Sequence, residues 1–155
     1  MPHLFKFRTI WRLPAPLPVV WDAIKDVRDY PHWWPGISQV EVSGNGPLSI
    51  TVGMKTHYVV KSPLYTLQYQ TELIEFKQDK YIFAKSTGDL VGTGTWTFIE
   101  SPHSTEAIFD WHVTVTPPFL RFVSHIPGVK SIMRFFHNRF MSQGEAALKK
   151  LIEQK

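Results

Sequence analysis

The chain changes its hydrophobic period once, and that switch limits the folds open to it. Between 37 and 116, short runs of strand-like sequence at 37–43, 54–61, 65–76, 81–87, 91–100 and 106–116 are each stopped by turn-forming residues. The stops are Gly44-Asn45-Gly46-Pro47, Ser62-Pro63, Gln78-Asp79-Lys80, Gly88-Asp89, Ser101-Pro102 and Pro117-Pro118. An earlier run at 4–12 places Phe5, Phe7, Thr9 and Trp11 on one side and Lys6, Arg8 and Arg12 on the other, the alternation of a half-buried strand. Seven strands in hairpin-like succession pair most simply as an antiparallel sheet. From 129 to 152 the spacing becomes helical. Val129, Ile132, Met133, Phe136, Phe140, Ala147, Leu148, Leu151 and Ile152 recur at i, i+3, i+4, while Lys130, Arg134, Arg139, Glu145, Lys149 and Lys150 largely fill the remainder. Pro127-Gly128 separates this long helix from a segment at 119–126.

Between the first strand and the second lies a different texture. Pro14, Pro16 and Pro18 break the strand, and Pro18 suits the first turn of a helix, where its missing N–H costs nothing. Val20, Ala23, Ile24 and Val27 then mark a short amphipathic helix over 18–27. Asp29 is placed to cap a second helical turn over 30–34, which Pro35-Gly36 ends. Trp21, Trp33 and Trp34 all fall in this stretch. A twisted antiparallel sheet must bury one face, and one long helix is too narrow to fill the concavity of seven curled strands. The predicted fold is therefore α+β: a curved seven-stranded antiparallel sheet wrapped around a long C-terminal helix. Two short helices after strand one complete the closure, and an internal apolar cavity remains.

At 155 residues the chain reads as a single domain over 1–155. The absence of cysteine excludes disulfides, thiolate metal sites and a cysteine nucleophile. A charge arrives by Lys6 and no apolar run approaches the ~20 residues of a membrane span, so a soluble, cytoplasmic protein is expected. Lys and Arg outnumber Asp and Glu by 17 to 13, but they are scattered, which favours an ordinary solvated surface over a nucleic-acid patch. The seven histidines include no H-E-x-x-H and no His-x-His pair, so neither metal nor other cofactor is expected.

The candidate site residues are those that parity and helical spacing turn inward: Phe7, Trp11, Tyr58, Tyr69, Phe83, Trp96, Trp111, Met133, Phe136 and Phe140. Trp33 and Trp34 join them as a gate or a stacking surface, although adjacent residues on a helical turn cannot both face inward. Trp21 reads as core. One of His137 and Asn138, which lie near Phe136 and Phe140 on the long helix, could border the cavity, although a flank position is commoner. Tyr58 and Tyr69 would offer hydroxyls to a ligand, or satisfy one another. Asp110 and His112 form an acid–base pair only if their strand runs in the register that turns Phe109, Trp111 and Val113 outward. Burial of an unpaired Asp argues for the opposite register, with the pair on the surface. Gly92 and Gly94, inside a strand, allow close approach and are no phosphate loop. The segment 119–126 mixes aromatics with cations; it could touch a bilayer transiently or pack its rings on the sheet end, the plainer reading.

Several stretches bear a family likeness. Val20-Trp21-Asp22 with Asp26, Tyr30 and Trp33-Trp34-Pro35-Gly36 resembles the first two helices of the polyketide cyclase/dehydrase group in the START-like, helix-grip superfamily. The run from Gly88 through Gly92-Thr93-Gly94-Thr95-Trp96, the strand Phe109-Asp110-Trp111-His112-Val113, and Phe136-His137-Asn138 with Gly144-Glu145 resemble further segments of that group. At His112 the family often carries an Asp. The resemblance implies the helix-grip fold and binding or transport of a small hydrophobic ligand, of lipid, aromatic polyketide or isoprenoid type. A cyclase or dehydratase working in the same cavity is the alternative, and a partner-binding module with a solid core is a third. Fold alone does not decide among them.

Overall fold

A computed structural model describes residues 4–43, 50–62, 65–116 and 126–154. Strand β1 (Leu4–Leu13) is followed by helix α1 (Leu17–Lys25), a single 3-10 turn at Val27–Asp29, and the short helix α2 (Tyr30–Trp33). Strands β2 (Ile37–Val42), β3 (Lys55–Lys61), β4 (Thr66–Lys77), β5 (Tyr81–Gly88), β6 (Leu90–Ser101) and β7 (Ser104–Val115) come next, and helix α3 (Val129–Glu153) ends the fold. The sheet order is β1-β7-β6-β5-β4-β3-β2, with every neighbouring pair antiparallel. Strands consecutive in sequence are thus neighbours except at one place. From β1 the chain crosses to the far edge by way of α1 and α2, so those helices necessarily span the concave face. The seven strands, the helix pair and the long helix are those expected from the period switch, with ends shifted by one or two residues.

Local chemistry explains these boundaries. Pro18 occupies the first turn of α1, and Gly128, at φ 90°, begins α3 in a conformation that glycine adopts readily. Asp29 stands at the start of α2 but makes no side-chain capping bond there. Two register shifts, between Ile37 and Gln39 and between Leu73 and Glu75, bend the sheet. The second also resets the parity of β4, so that Leu73 and Phe76 both pack inward although three positions apart.

Helix α3 buries His137, Met141, Gly144 and Leu148, a single row repeating every three or four residues. Gly144 is what lets the helix sit close. A Cβ added there would lie 2.6 Å from the Trp34 ring and 2.9 Å from Trp11. The indole of Trp34 donates from Nε1 to the Phe140 carbonyl at 3.1 Å, tying the helix pair to α3. Beneath it, Trp11 packs against Trp34 and Trp96 with ring centroids 5.0 and 5.1 Å away. Trp21 packs edge-on against Phe98, as a core residue should. The Glu145 carboxylate accepts from the Arg12 backbone N–H at 2.8 Å, occupying a donor on the edge strand β1.

Candidate functional site: an aromatic pocket between sheet and helices

The closure is incomplete. A pocket of about 140 Å³ remains between the concave sheet face, α1–α2 and α3. Its floor carries Tyr58, Tyr69, Ala84, Trp96, Phe109 and Trp111; Ile24, Tyr30 and Trp34 roof it; His137, Phe140 and Met141 come from α3. Tyr58 and Tyr69 stack across β3–β4 at 5.1 Å. The lining includes no Asp or Glu among the described residues, and Lys25, at its edge, lies 3.5 Å from both Asp22 and Asp26.

A second pocket of about 120 Å³ adjoins the first and shares Tyr69, Trp111, His137 and Phe140 with it. Its remaining wall is more polar, with Lys61, Ser62, Arg139 and Gln143 beside Phe136 and Leu67. His137 therefore stands in the partition. Its imidazole packs on two cross-strand neighbours, Phe7, 4.1 Å away and 15° from parallel, and Trp111, 5.2 Å away and 18° from parallel. Neither ring nitrogen has a partner at hydrogen-bond geometry among the described residues, although the Asn138 side chain acts on the ring.

Burial governs the protonation states here. It pushes the Tyr30, Tyr58 and Tyr69 hydroxyls upward from their ordinary pKa, with Thr71 pulling Tyr58 slightly the other way. It lowers His137 to about 4, against a smaller opposing effect of Asn138. At neutral pH the pocket accordingly presents un-ionised phenols and a neutral imidazole within apolar walls. Ser86 is already engaged, donating to the Leu90 carbonyl at 2.7 Å, and the Tyr30 hydroxyl donates to the Ile24 carbonyl.

Of the residues expected to line a cavity, Trp34, Tyr58, Tyr69, Trp96, Trp111, His137 and Phe140 lie on the first pocket and Phe136 on the second. Five do not. Phe83 is displaced by parity: Ile82, Ala84 and Ser86 face inward opposite Trp96, Gly94 and Gly92, and Phe83 faces the other way. Trp33 packs on Tyr30 and on Trp34, whose ring takes the inward place. Phe7 and Trp11 are on the correct face but are covered, by His137 and by the tryptophan cluster respectively. Met133 joins the smaller cluster around Phe5 and Val113. Of the segment 119–126, all but Ile126 lies outside the described residues.

Asp110 and His112 are on the outer face of β7. Asp110 makes a bidentate pair with Arg8, at 2.7 Å to Nε and 3.1 Å to the terminal nitrogen; His112 is exposed. Replacing Asp110 by Ala is therefore expected to leave uptake of any pocket ligand unchanged, which a binding titration of the variant checks. Thr56, Thr71 and Ser86 were missed as lining residues, although the first two share the parity of Tyr58 and Tyr69 and could have been found from it. Tyr30 carried no periodic signal, because it begins a helix of four residues.

Gly94 lies in the pocket wall, where a Cβ would touch Phe109 at 3.3 Å. The tight strand glycines, the roofed concavity and the gripping helix form one architecture, and residues 5–153 match the family described as polyketide cyclase/dehydrase and lipid transport. The chain belongs to that family. Solved structures share the fold at low identity. A START superfamily protein from Mycobacterium smegmatis is 17% identical, with a TM-score of 0.73 over 96% of this chain and 97% of the other. A protein from Thermus thermophilus gives 18% and 0.73 over 92% and 96%. The Zhui aromatase/cyclase from Streptomyces gives 15% and 0.70 over 98% and 95%. No curated protein matches the chain. None of the helices among the described residues is long and apolar enough to cross a membrane, and no three potential metal-ligating His, Asp or Glu side chains converge among those residues.

Proposed function

We propose that this protein binds or carries a small, uncharged, predominantly hydrophobic molecule in the pocket beneath Trp34. The observation carrying this reading is the lining itself: aromatic and aliphatic walls, a few hydroxyls, one neutral imidazole, Lys25 beside Asp22 and Asp26, and no carboxylate among the described lining residues. Apolar surface buried there would supply affinity at ~25 cal/mol per Å², and the few polar groups would orient the ligand. Family membership and the likeness to START-type folds support the same reading. A cyclase or dehydratase reaction is the second reading. It rests on His137, whose neutral ring faces the pocket and could move a proton. Binding is preferred because Asp110 and His112, the other acid–base pair within reach of sequence reasoning, lie outside.

Native mass spectrometry of the protein purified from its own host tests the proposal. A discrete apolar mass that co-purifies and is released on denaturation is the expected result. Consistently bare protein, together with failure of small aromatic probes to bind, would overturn it.

A further inference from the structure

Among the described residues, His137 is the one side chain in the pocket wall whose polar atoms are buried without a hydrogen-bond partner. The residue is only 9% exposed, yet Nδ1 and Nε2 both lack a partner. A neutral imidazole carries one donor and one acceptor, and leaving either unmade in a dry site is costly. The surrounding residues have no reason of packing to demand a histidine. Phe7 and Trp111, partners across β1–β7, both pack against the ring from the sheet side, a contact that phenylalanine would make equally well. What histidine adds is a polar edge, oriented by near-parallel packing on those two rings. That edge lies in the partition where the two pockets meet, beside Tyr69 and Phe140.

Resting on the binding function proposed above, we infer that His137 is the polar anchor for the ligand, and that the ligand is a flat aromatic molecule carrying a hydroxyl or carbonyl oxygen. A hydroxyl would donate to the bare ring nitrogen, or a carbonyl would accept from the N–H. The oxygen approaches in the plane of the imidazole, where the ring's N–H and lone pair point, and the aromatic body then lies among Trp34, Trp96 and Phe109. An apolar cavity of on the order of 150 Å³ admits a benzene-sized ring. The first pocket, at about 140 Å³, takes one such ring, and the adjoining space extends the reach toward a bicyclic one.

The test uses naphthol and naphthalene, which differ by one hydroxyl, against the wild-type chain and His137→Phe. In the wild type the ratio of naphthol to naphthalene affinity should exceed that of the variant by about tenfold, the size of one buried hydrogen bond. Naphthol should also shift the His137 ring-nitrogen NMR resonances of the wild type, and naphthalene should not. That second readout needs no variant, so it decides the matter even if His137→Phe fails to fold. An unchanged affinity ratio with silent ring nitrogens would overturn the anchor while leaving a hydrophobic carrier intact. Binding of neither probe would overturn the anchor together with the function on which it rests.

Discussion

Gly92→Ala should cost about 4 kcal/mol of folding stability, a large share of the ~5–15 kcal/mol typical of a domain. The residue sits on β6 opposite Val113 of β7, and a Cβ built there would lie 1.9 Å from the His112 carbonyl oxygen and 2.9 Å from the Val113 Cα. Those are backbone atoms, so no rotamer change relieves the overlap. The strands must separate locally, and β7 also carries β1 on its other side. Gly53 is the control: it too has a positive φ, of 91°, but a Cβ there meets nothing within 4 Å among the described residues. Gly53→Ala should cost only the ~1–2 kcal/mol of a left-handed conformation. Urea unfolding of the two variants measures both effects, and equal losses would show that the close approach of β6 and β7 is unimportant.

The second large effect is a pH dependence carried by one side chain. His137 has its pKa lowered from 6.5 to about 4 by burial. The unfolded chain therefore takes up the proton first as pH falls. The stabilising contribution is complete above about pH 6.5, is lost progressively toward pH 4, and changes little below that. Its full size is ~3 kcal/mol, from 1.36 kcal/mol per pKa unit. Asn138 opposes it in part, an effect already contained in the value of about 4, and the other groups near the ring do not offset it. Phe7 of β1 and Trp111 of β7 do not titrate, Tyr69 of β4 stays neutral, and Arg139 on α3 adds a like charge that would only oppose protonation. Acid unfolding of wild type compared with His137→Phe isolates the term from the surface carboxylates. The variant should lose ~2–3 kcal/mol less than the wild type between about pH 7 and pH 4.5. Identical profiles would mean that the imidazole is solvated or paired.

Both effects involve positions that sequence patterns represent poorly. The alternation in β1 was legible because its two faces differ sharply, aromatic against basic, and β7 was legible because a buried Asp110 would have been costly. Along β5, Tyr81, Ile82, Phe83 and Ala84 are apolar on both parities, so bulk favoured Phe83 while register favoured Ile82 and Ala84. The shift between Leu73 and Glu75 could not be read either, since a bulge changes parity without leaving a compositional mark. On α3 the apolar stripe was evident, but its most buried row contains a histidine and a glycine. Hydrophobic spacing therefore pointed to Met133 and Phe136, on the flanks, and gave His137 no priority. The importance of Gly144 depends on two tryptophans more than a hundred residues away. Whole elements follow from local periodicity; the facing of individual side chains follows from long-range register, and the pocket is built from facing.

The central claim is that the space under Trp34 receives the ligand. Ala84 offers the most direct access to it, because its side chain enters the pocket opposite Gly94, where no side chain competes. Ala84→Phe should fill that space while the sheet stays paired. Titrating wild type and Ala84→Phe with naphthol, followed by tryptophan fluorescence, should show saturable one-to-one binding to the wild type. Affinity for the variant should fall at least ~10-fold, with its thermal midpoint essentially retained. Equal binding to both proteins would contradict the account and place the ligand somewhere other than this pocket.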